Sequence, residues 1–331
     1  MSESPVPHRT VAITGASGMI GSALSQALRE RGDQVVHLVR RAPRTEGLPA
    51  SVTEAQWDPD EQRLDPGLLG GVDAVVHLAG AGIGDHRWTK ERKREILHSR
   101  VAGTSAVAAA VAAHHDRVRL VSGSAVGYYG DRGGDVLTEE SALGQGFLAE
   151  VVRDWEAATW QAEQAGASVV HARTGIVLAP KGGAMGRLMP LARMGLAGPL
   201  GSGKQYWSWI TLRDEVRALV FLVDRPDITG AANLTAPEPE SQATVVKALG
   251  EQLHRPAVVP APTIALKLAL GQMAGEILGS QRALPSVLSE AGFTWEHPDL
   301  ASAMGWLVQE QASAKQSKDV PLDEDSVTAG D

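Results

Sequence analysis

A doubly wound α/β fold, with a parallel sheet covered by helices on both faces, is predicted by three observations. Short β-branched apolar runs alternate with amphipathic helical patterns through the first half of the chain. The first of these runs stops at a glycine cluster that opens a helix. The chain has 331 residues, which fits one large α/β domain or two domains.

The elements follow in order. Residues 10–14 form the first run, and Ile20, Leu24, Ala27 and Leu28 share one face of the helix after it, which ends near Arg31 and Gly32. Residues 34–39 make a second run, 52–57 a weaker third and 72–78 a clear fourth. Residues 89–113 read as a long helix with Leu97, Val101, Thr104, Ala108 and Val111 on its inner stripe. A strand is expected at 118–121, a helix at 147–165 and another strand at 168–172. Beyond Arg173 the pattern changes, and 180–208 hold many Gly, Pro and Met, as for loops and short helices over a pocket. Helices are then expected at 212–223, 241–254, 263–278 and 299–311, with one more strand at 230–234. This divides the chain into an α/β core over 9–178 with a return crossover at 212–236, and a second region over 179–211 and 237–311. Residues 313–331 are polar and acidic and are expected to be a disordered tail.

Composition excludes several classes. The chain is 43% hydrophobic and 21% charged, ordinary for a globular protein, and its net charge of −8 argues against a nucleic-acid-binding surface. With no cysteine there is no disulfide, thiolate nucleophile or iron–sulfur cluster. The first ten residues lack a secretory pattern, and the longest apolar stretch, 264–278, is too short for a span and contains Lys267 and Glu276. A cytoplasmic protein with no membrane partner is expected, its oligomeric state left open.

The strongest local signal is Thr14-Gly15-Ala16-Ser17-Gly18-Met19-Ile20-Gly21. Gly15 and Gly18 permit a tight turn and close approach to a pyrophosphate. Gly21 lets helix and strand pack, and the backbone of Ser17, Met19 and Ile20 at the helix N-terminus faces the negative charge. The spacing G-x-x-G-x-x-G is that of short-chain dehydrogenases and predicts a Rossmann-type dinucleotide site. The second strand ends Val39-Arg40-Arg41, where an NAD-preferring site places a carboxylate. Arg40 therefore points to NADP, its guanidinium matching a 2′-phosphate, against the alternative of two solvated arginines. Arg100 falls on the inner face of the long helix and needs an anionic partner. Either Glu95 or a ligand phosphate supplies it, and Glu95 and Arg100 are both taken as candidate cofactor contacts.

These segments carry a resemblance. TGASGMIG (14–21), VVHLAGAGI (75–83), RWTKERKREILHSRVAGT (87–104), SGSAVGYYG (122–130), FLAEVVRDWEAA (147–158), RTGIVLAPKGGAMGRLMP (173–190) and LPSVLSEAGFTWEHPDLASAM (284–304) resemble extended short-chain dehydrogenases of the NAD-dependent epimerase/dehydratase superfamily. Within it they are similar to the epimerase family proteins often labelled sugar-nucleotide epimerases. The resemblance implies that 9–178 is an NADP-binding Rossmann domain, that 179–211 and 237–311 cover the substrate and include a small C-terminal family module, and that Leu78, Ala79 and Gly80 contact the cofactor. It also implies an oxidoreductase or epimerase acting on a small or sugar-like substrate that the sequence does not identify. A rival from another class is a catalytically silent NADP(H)-binding regulator, since relatives of this group are associated with cell or plastid division.

The usual dyad of these enzymes, Tyr-x-x-x-Lys, is absent. The only tyrosines are Tyr128, Tyr129 and Tyr206, and four residues on stand Arg132, Gly133 and Ile210. The resemblance places Leu148 and Val152 at the dyad positions, Arg100 where relatives carry asparagine, and Ser124 at the family serine. Tyr128 or Tyr129 then acts as acid/base beside Ser124, or both only shape the pocket. His77 is a further candidate unless its ring points into the sheet packing.

Weaker signals remain. Residues 198–204 imitate a phosphate loop, but Gln205 replaces the magnesium-binding hydroxyl and an aromatic run follows, which excludes nucleotide hydrolysis. Lys204 there is a candidate for a substrate anion. Arg173, ending a strand, binds substrate or pairs with an acid, and Trp207 or Trp209 stacks on a ring while the other is core. The pair His114-His115 lacks the spacing and carboxylate of a metal site, so no metal is expected.

Overall fold

The computed structural model describes residues 8–114 and 118–316. Seven parallel strands form the central sheet: β1 Thr10–Thr14, β2 Gln34–Val39, β3 Val52–Gln56, β4 Ala74–His77, β5 Arg119–Ala125, β6 Val169–Thr174 and β7 Gly230–Leu234. Their order is β7-β6-β5-β4-β1-β2-β3, so the direction of winding reverses between β1 and β4. That switch point leaves a crevice at the carboxyl ends of the strands, the ligand side of such sheets.

Helices α1 (Met19–Arg31) and α6 (Leu212–Asp224) cover one face, and α2 (Lys90–Ala112) covers the other. Alternation along each strand feeds both cores. Val11, Ile13, Val76 and Val121 pack beneath α1 and α6, while Ala12, Val75 and Leu120 pack beneath α2. α1 stops where Gly32 turns left-handed at φ 99°, a conformation that glycine alone adopts without strain. α2 and α6 each open on a threonine, Thr89 and Thr211, whose side chain accepts a backbone N–H of the first turn.

The sheet expected from the sequence is present, and the helices differ in detail. The helix expected over 147–165 is two, α3 (Phe147–Ala157) and α4 (Trp160–Gln164). At the break Thr159 Oγ1 bonds the Glu156 carbonyl oxygen at 2.7 Å and meets His171 Nε2 at 2.9 Å. On the substrate side lie α5 (Gly183–Arg193) and α7 (Gln242–Gln252). The apolar run over 263–278 breaks at Gly271, φ 60°, into α8 (Thr263–Leu270) and α9 (Met273–Leu278). A short α10 (Ser286–Glu290) follows, and α11 (Leu300–Gln316) continues five residues beyond the expected end at 311. Positions 313–316 therefore belong to a helix, and the rest of the expected tail lies outside the described residues.

Carboxylates on the core clasp backbone of the C-terminal module. Asp214 accepts N–H groups of Glu296 and His297 at 2.8 and 2.9 Å, Glu139 that of Val287 at 3.2 Å and Asp131 that of Ser280 at 3.1 Å.

Candidate active site

The glycine loop fits its place too closely for a side chain at Gly15 or Gly21. A Cβ on Gly15, which has φ +68°, would lie 2.9 Å from the Leu78 carbonyl carbon, and one on Gly21 would lie 2.3 Å from the Gly15 oxygen. The loop thus rests directly on the end of β4, and Gly18 N–H closes it onto Gly15 O at 2.9 Å. Ser17 and Gly18 are exposed, Met19 and Ile20 partly so. α1 opens here with no capping side chain and no acid in its first turn, leaving its dipole to an external anion. Thr14 anchors the neighbouring segment: its Oγ1 accepts N–H groups of Leu78 at 3.0 Å and Ala79 at 3.1 Å. Leu78, Ala79 and Gly80 continue along the crevice.

Three arginines stand at the end of β2, and only two are engaged. Arg41 chelates Glu54 with both nitrogens at 2.7 Å, and Arg44 adds contacts of 2.7 and 3.0 Å to the same carboxylate. Arg41 and then Arg44 hold that carboxyl far below the usual range. Arg40 is exposed and, among the described residues, its guanidinium has no hydrogen-bond or ion-pair partner. Glu54 thereby engages two of the three arginines and leaves the Arg40 guanidinium open to solvent.

Arg100 is 8% exposed, on the inner face of α2 as expected. Its Nη1 donates to the carbonyls of Ala81 at 3.0 Å and Ile96 at 3.1 Å, its Cζ lies 5.0 Å from the Trp155 ring centre, and its Nε is buried without a partner. Burial, then the charge of Arg92, lowers its pKa to about 10. Glu95 is not the counter-ion. It is exposed and pairs with Arg92 at 2.7 Å, because its position on α2 faces solvent. A Cβ on Gly80 would come 3.5 Å from the guanidinium, so Arg100 borders the same crevice as the glycine loop.

Beside it lies a closed polar chain. Ser124, opposite Arg173 in the β5–β6 register, donates to Glu156 Oε1 at 2.6 Å. Arg173 grips both oxygens of Glu156 at 2.8 Å and donates to the Tyr129 hydroxyl at 3.1 Å, and that hydroxyl donates to Asn233 Oδ1 at 2.8 Å. Burial of Arg173 opposes its charge, but Glu156 prevails and raises its pKa. Burial likewise pushes the Tyr129 phenol up. Tyr128 is half-buried, its ring centre 3.5 Å from the Arg173 Cζ.

Several sequence candidates are thus relocated. Tyr129 is fully buried with its hydroxyl engaged on both sides, so acid/base work would first require it to leave Asn233. Arg173 takes the acid-pairing alternative. Trp207 and Trp209 are both packed in the core, so neither offers a ring face. Lys204 is exposed, and no hydrogen bond or ion pair joins its amine to the residues above. His77 is buried against Trp57, taking the packing alternative. His114 Nε2 meets the Pro66 carbonyl at 2.6 Å, His115 lies outside the described residues, and no potential metal-binding cluster occurs among those described. Glu54, Glu156 and Asn233 were not singled out by the sequence. For Glu156 a signal existed, since it stands one helical turn after Val152 at the dyad position.

Among known proteins, residues 11–234 match the NAD dependent epimerase/dehydratase family, and 261–307 match DUF1731, a domain of unknown function. The epimerase family protein Mb2239 of Mycobacterium bovis is 45% identical over 90% of this chain and 97% of that protein. The chloroplastic SDR39U1 homolog of Arabidopsis thaliana is 36% identical over 91% of this chain and 87% of its own length. The crystal structure of the human epimerase family protein SDR39U1 (isoform 2) with NADPH superposes with a TM-score of 0.81 at 29% identity, over 91% of this chain and 99% of that one.

Proposed function

The chain belongs to the NAD dependent epimerase/dehydratase family of NAD(P)-binding, oxidoreductase-like proteins, and from that premise we propose that it is an NADP(H)-dependent oxidoreductase or epimerase-like enzyme acting on a small or sugar-like substrate. The observation that carries the choice of cofactor is Arg40, the one arginine at the end of β2 that Glu54 leaves unengaged. The human relative whose structure contains NADPH supports the same reading. When bound, the nicotinamide supplies or accepts a hydride. The loop Gly15–Gly21 holds the diphosphate, Arg40 the 2′-phosphate, and Leu78, Ala79 and Gly80 line the crevice. Arg100 offers its unpaired Nε to the nicotinamide half of the ligand. Ser124 exchanges a proton with the substrate oxygen, and Glu156, held in place by Arg173, takes or returns the Ser124 proton. Tyr128 and Tyr129 shape the pocket through their contacts with Arg173.

Calorimetry tests the cofactor assignment. Arg40→Asp should weaken NADPH on the order of a hundredfold, by exchanging attraction for repulsion at the 2′-phosphate, and leave NADH little changed. Equal losses for the two would remove Arg40 from the role. A screen of carbonyl compounds and nucleotide sugars, read by product as well as by absorbance, tests the chemistry, because epimerisation leaves the cofactor unchanged overall. The second reading, cofactor binding without turnover, is favoured by the apolar Leu148 and Val152 against Gly127 and by the occupied Tyr129 hydroxyl. It predicts NADPH binding with no product from any substrate class.

A further inference from the structure

The substrate-side surface carries a face that neither the core nor the crevice explains. The segment 195–201 runs beside 256–263, joined by Val259 N–H to Ala197 O at 3.2 Å, Ala261 N–H to Pro199 O at 2.9 Å and Gly201 N–H to Ala261 O at 2.9 Å. This ribbon leads from α5 directly into α8. Large aliphatic side chains stand out along it: Met194 is 61% exposed, Leu196 51%, Val258 74%, Ile264 74% and Leu268 72%. In α8, Thr-Ile-Ala-Leu-Lys-Leu-Ala-Leu, not one of the eight residues is buried. Leu266 and Leu270 are half-buried, Leu270 against the cluster of Trp88 and Met273, but the edge formed by Ile264 and Leu268 stays open, which is unfavourable in water unless something covers it.

Charge narrows what covers it. The molecule has a net charge of −8, yet no Asp or Glu occurs between positions 164 and 213 or between 252 and 275. The charged groups facing outward from these segments are cations, among them Lys181, Arg193, Arg255 and Lys267, all exposed. Arg255 Nε bonds the Arg193 carbonyl at 3.2 Å, which holds two of these cations beside Met194. A second copy of the same face would set cation against cation, which disfavours a symmetric dimer. Ile264 and Leu268, one helical turn apart and 74% and 72% exposed, are open to a plane rather than enclosed as a groove would enclose them.

We propose that this face, formed by the end of α5, the ribbon and α8, is a peripheral docking surface for an anionic lipid bilayer. Ile264, Leu268, Val258 and Met194 enter the boundary between headgroups and acyl chains, and Lys267, Arg255 and Arg193 meet the headgroup charge. α8, about 12 Å long at 1.5 Å per residue, lies along the interface and does not cross it. No helix among the described residues is long and apolar enough to cross a membrane, and this mode of contact needs none. The proposal is independent of the assignment of cofactor or chemistry.

Sedimentation with vesicles tests it on the full chain. Phosphatidylcholine vesicles containing about one third phosphatidylglycerol should bind the protein at least about tenfold more strongly than phosphatidylcholine alone, and 0.5 M salt should reduce that binding by a similar factor, about tenfold. Ile264→Asp with Leu268→Asp should abolish the binding, and Arg255→Glu with Lys267→Glu should reverse the lipid preference. The thermal unfolding midpoint should stay within about 3 °C of the parent in both double variants, which shows that they fold. Protein remaining in the supernatant with both vesicle types overturns the proposal, as does binding that survives the substitutions. A concentration-dependent dimer that Ile264→Asp dissolves would assign the face to a second copy, and one acidic protein captured in place of the vesicles would assign it to that partner. Either result overturns the lipid assignment.

Discussion

Thr14 Oγ1 and His77 Nδ1, 2.8 Å apart in the core, fix each other's hydrogen-bonding roles. The Thr14 oxygen already accepts two backbone N–H groups, from Leu78 and Ala79, so its own proton goes to His77 Nδ1. The imidazole is therefore the tautomer with hydrogen on Nε2, which has no hydrogen-bond partner and belongs to a ring set edge-on to Trp57. Burial, then the nearby Arg100 charge, keeps His77 neutral, with its pKa lowered to about 4. What looks from the sequence like a proton carrier at the end of β4 is a strut for the crevice floor.

That relationship predicts the effect of two substitutions at Thr14. Thr14→Val keeps the shape but strips two N–H groups and an imidazole nitrogen of their partner, and should cost on the order of 3 kcal/mol in urea unfolding. NADPH binding should weaken with it, because the glycine loop loses its seat on β4. Thr14→Ser retains the hydroxyl and should lie within about 1 kcal/mol of the parent. Equal stability of the valine and serine variants would refute the shared-proton arrangement.

Arg100 predicts a conflict between stability and binding. Arg119 is also a buried arginine, but its nitrogens reach Leu222 O, Ser168 Oγ and Ile228 O, so its burial is satisfied by the protein itself. Arg100 has two carbonyls on one nitrogen and an orphaned Nε. Arg100→Met should leave the ligand-free protein as stable or about 1 kcal/mol more so, since it removes an uncompensated charge. The same variant should bind NADPH at least about tenfold more weakly, the scale of one charge-assisted hydrogen bond. Unchanged NADPH affinity by calorimetry would make Arg100 a purely structural residue.

The contrast between these arginines also marks what the sequence could show. The seven strands and the glycine loop were legible because they rest on local patterns: β-branched runs, helical spacing, and glycines where a Cβ would strike β4. The engaged partners were not, because they are distant along the chain. Ser124 and Glu156 are 32 residues apart and Tyr129 and Asn233 are 104 apart, so no window of sequence pairs them. Arg40 and Arg41 look equivalent in sequence and differ only because Glu54, on the neighbouring strand, chelates the second. The break between α3 and α4 was hidden for a similar reason. Thr159 Oγ1 turns back to the Glu156 carbonyl and also meets His171 on β6, and the second contact has no local signature.

Ser124 and Tyr129 are predicted to separate chemistry from architecture. Ser124→Ala removes one hydroxyl and leaves Glu156 gripped by Arg173, so stability should change by no more than about 1 kcal/mol while turnover falls on the order of a hundredfold. Tyr129→Phe leaves Asn233 Oδ1 without its donor and Arg173 Nη1 with only the Glu139 carbonyl at 3.5 Å, and should cost about 2 kcal/mol, with a smaller effect on turnover. Thermal unfolding and product formation on whichever substrate the screen yields check both. The reverse pattern would return the proton-transfer role to the tyrosine.

Glu215 predicts how stability varies with pH. It is fully buried in the first turn of α6, its Oε1 accepting the Thr174 hydroxyl at 2.7 Å and its Oε2 without a partner. No cation lies near enough to offset burial, which pushes its pKa up from 4.5 to about 8 against the weaker opposing effect of Thr174. Between those two values the folded protein holds a proton that the unfolded chain has released, so the folded state binds more protons and its stability falls as pH rises. The contribution is fully present below about pH 4.5, declines through the neutral range and is lost above about pH 8, on the order of a few kcal/mol in total. Glu215→Gln keeps an oxygen for Thr174 and has nothing to titrate. Its urea midpoint should therefore match the parent near pH 5 and exceed it increasingly at pH 7 and 9. Parallel curves for the two proteins across that range would show that Glu215 is not the titrating group.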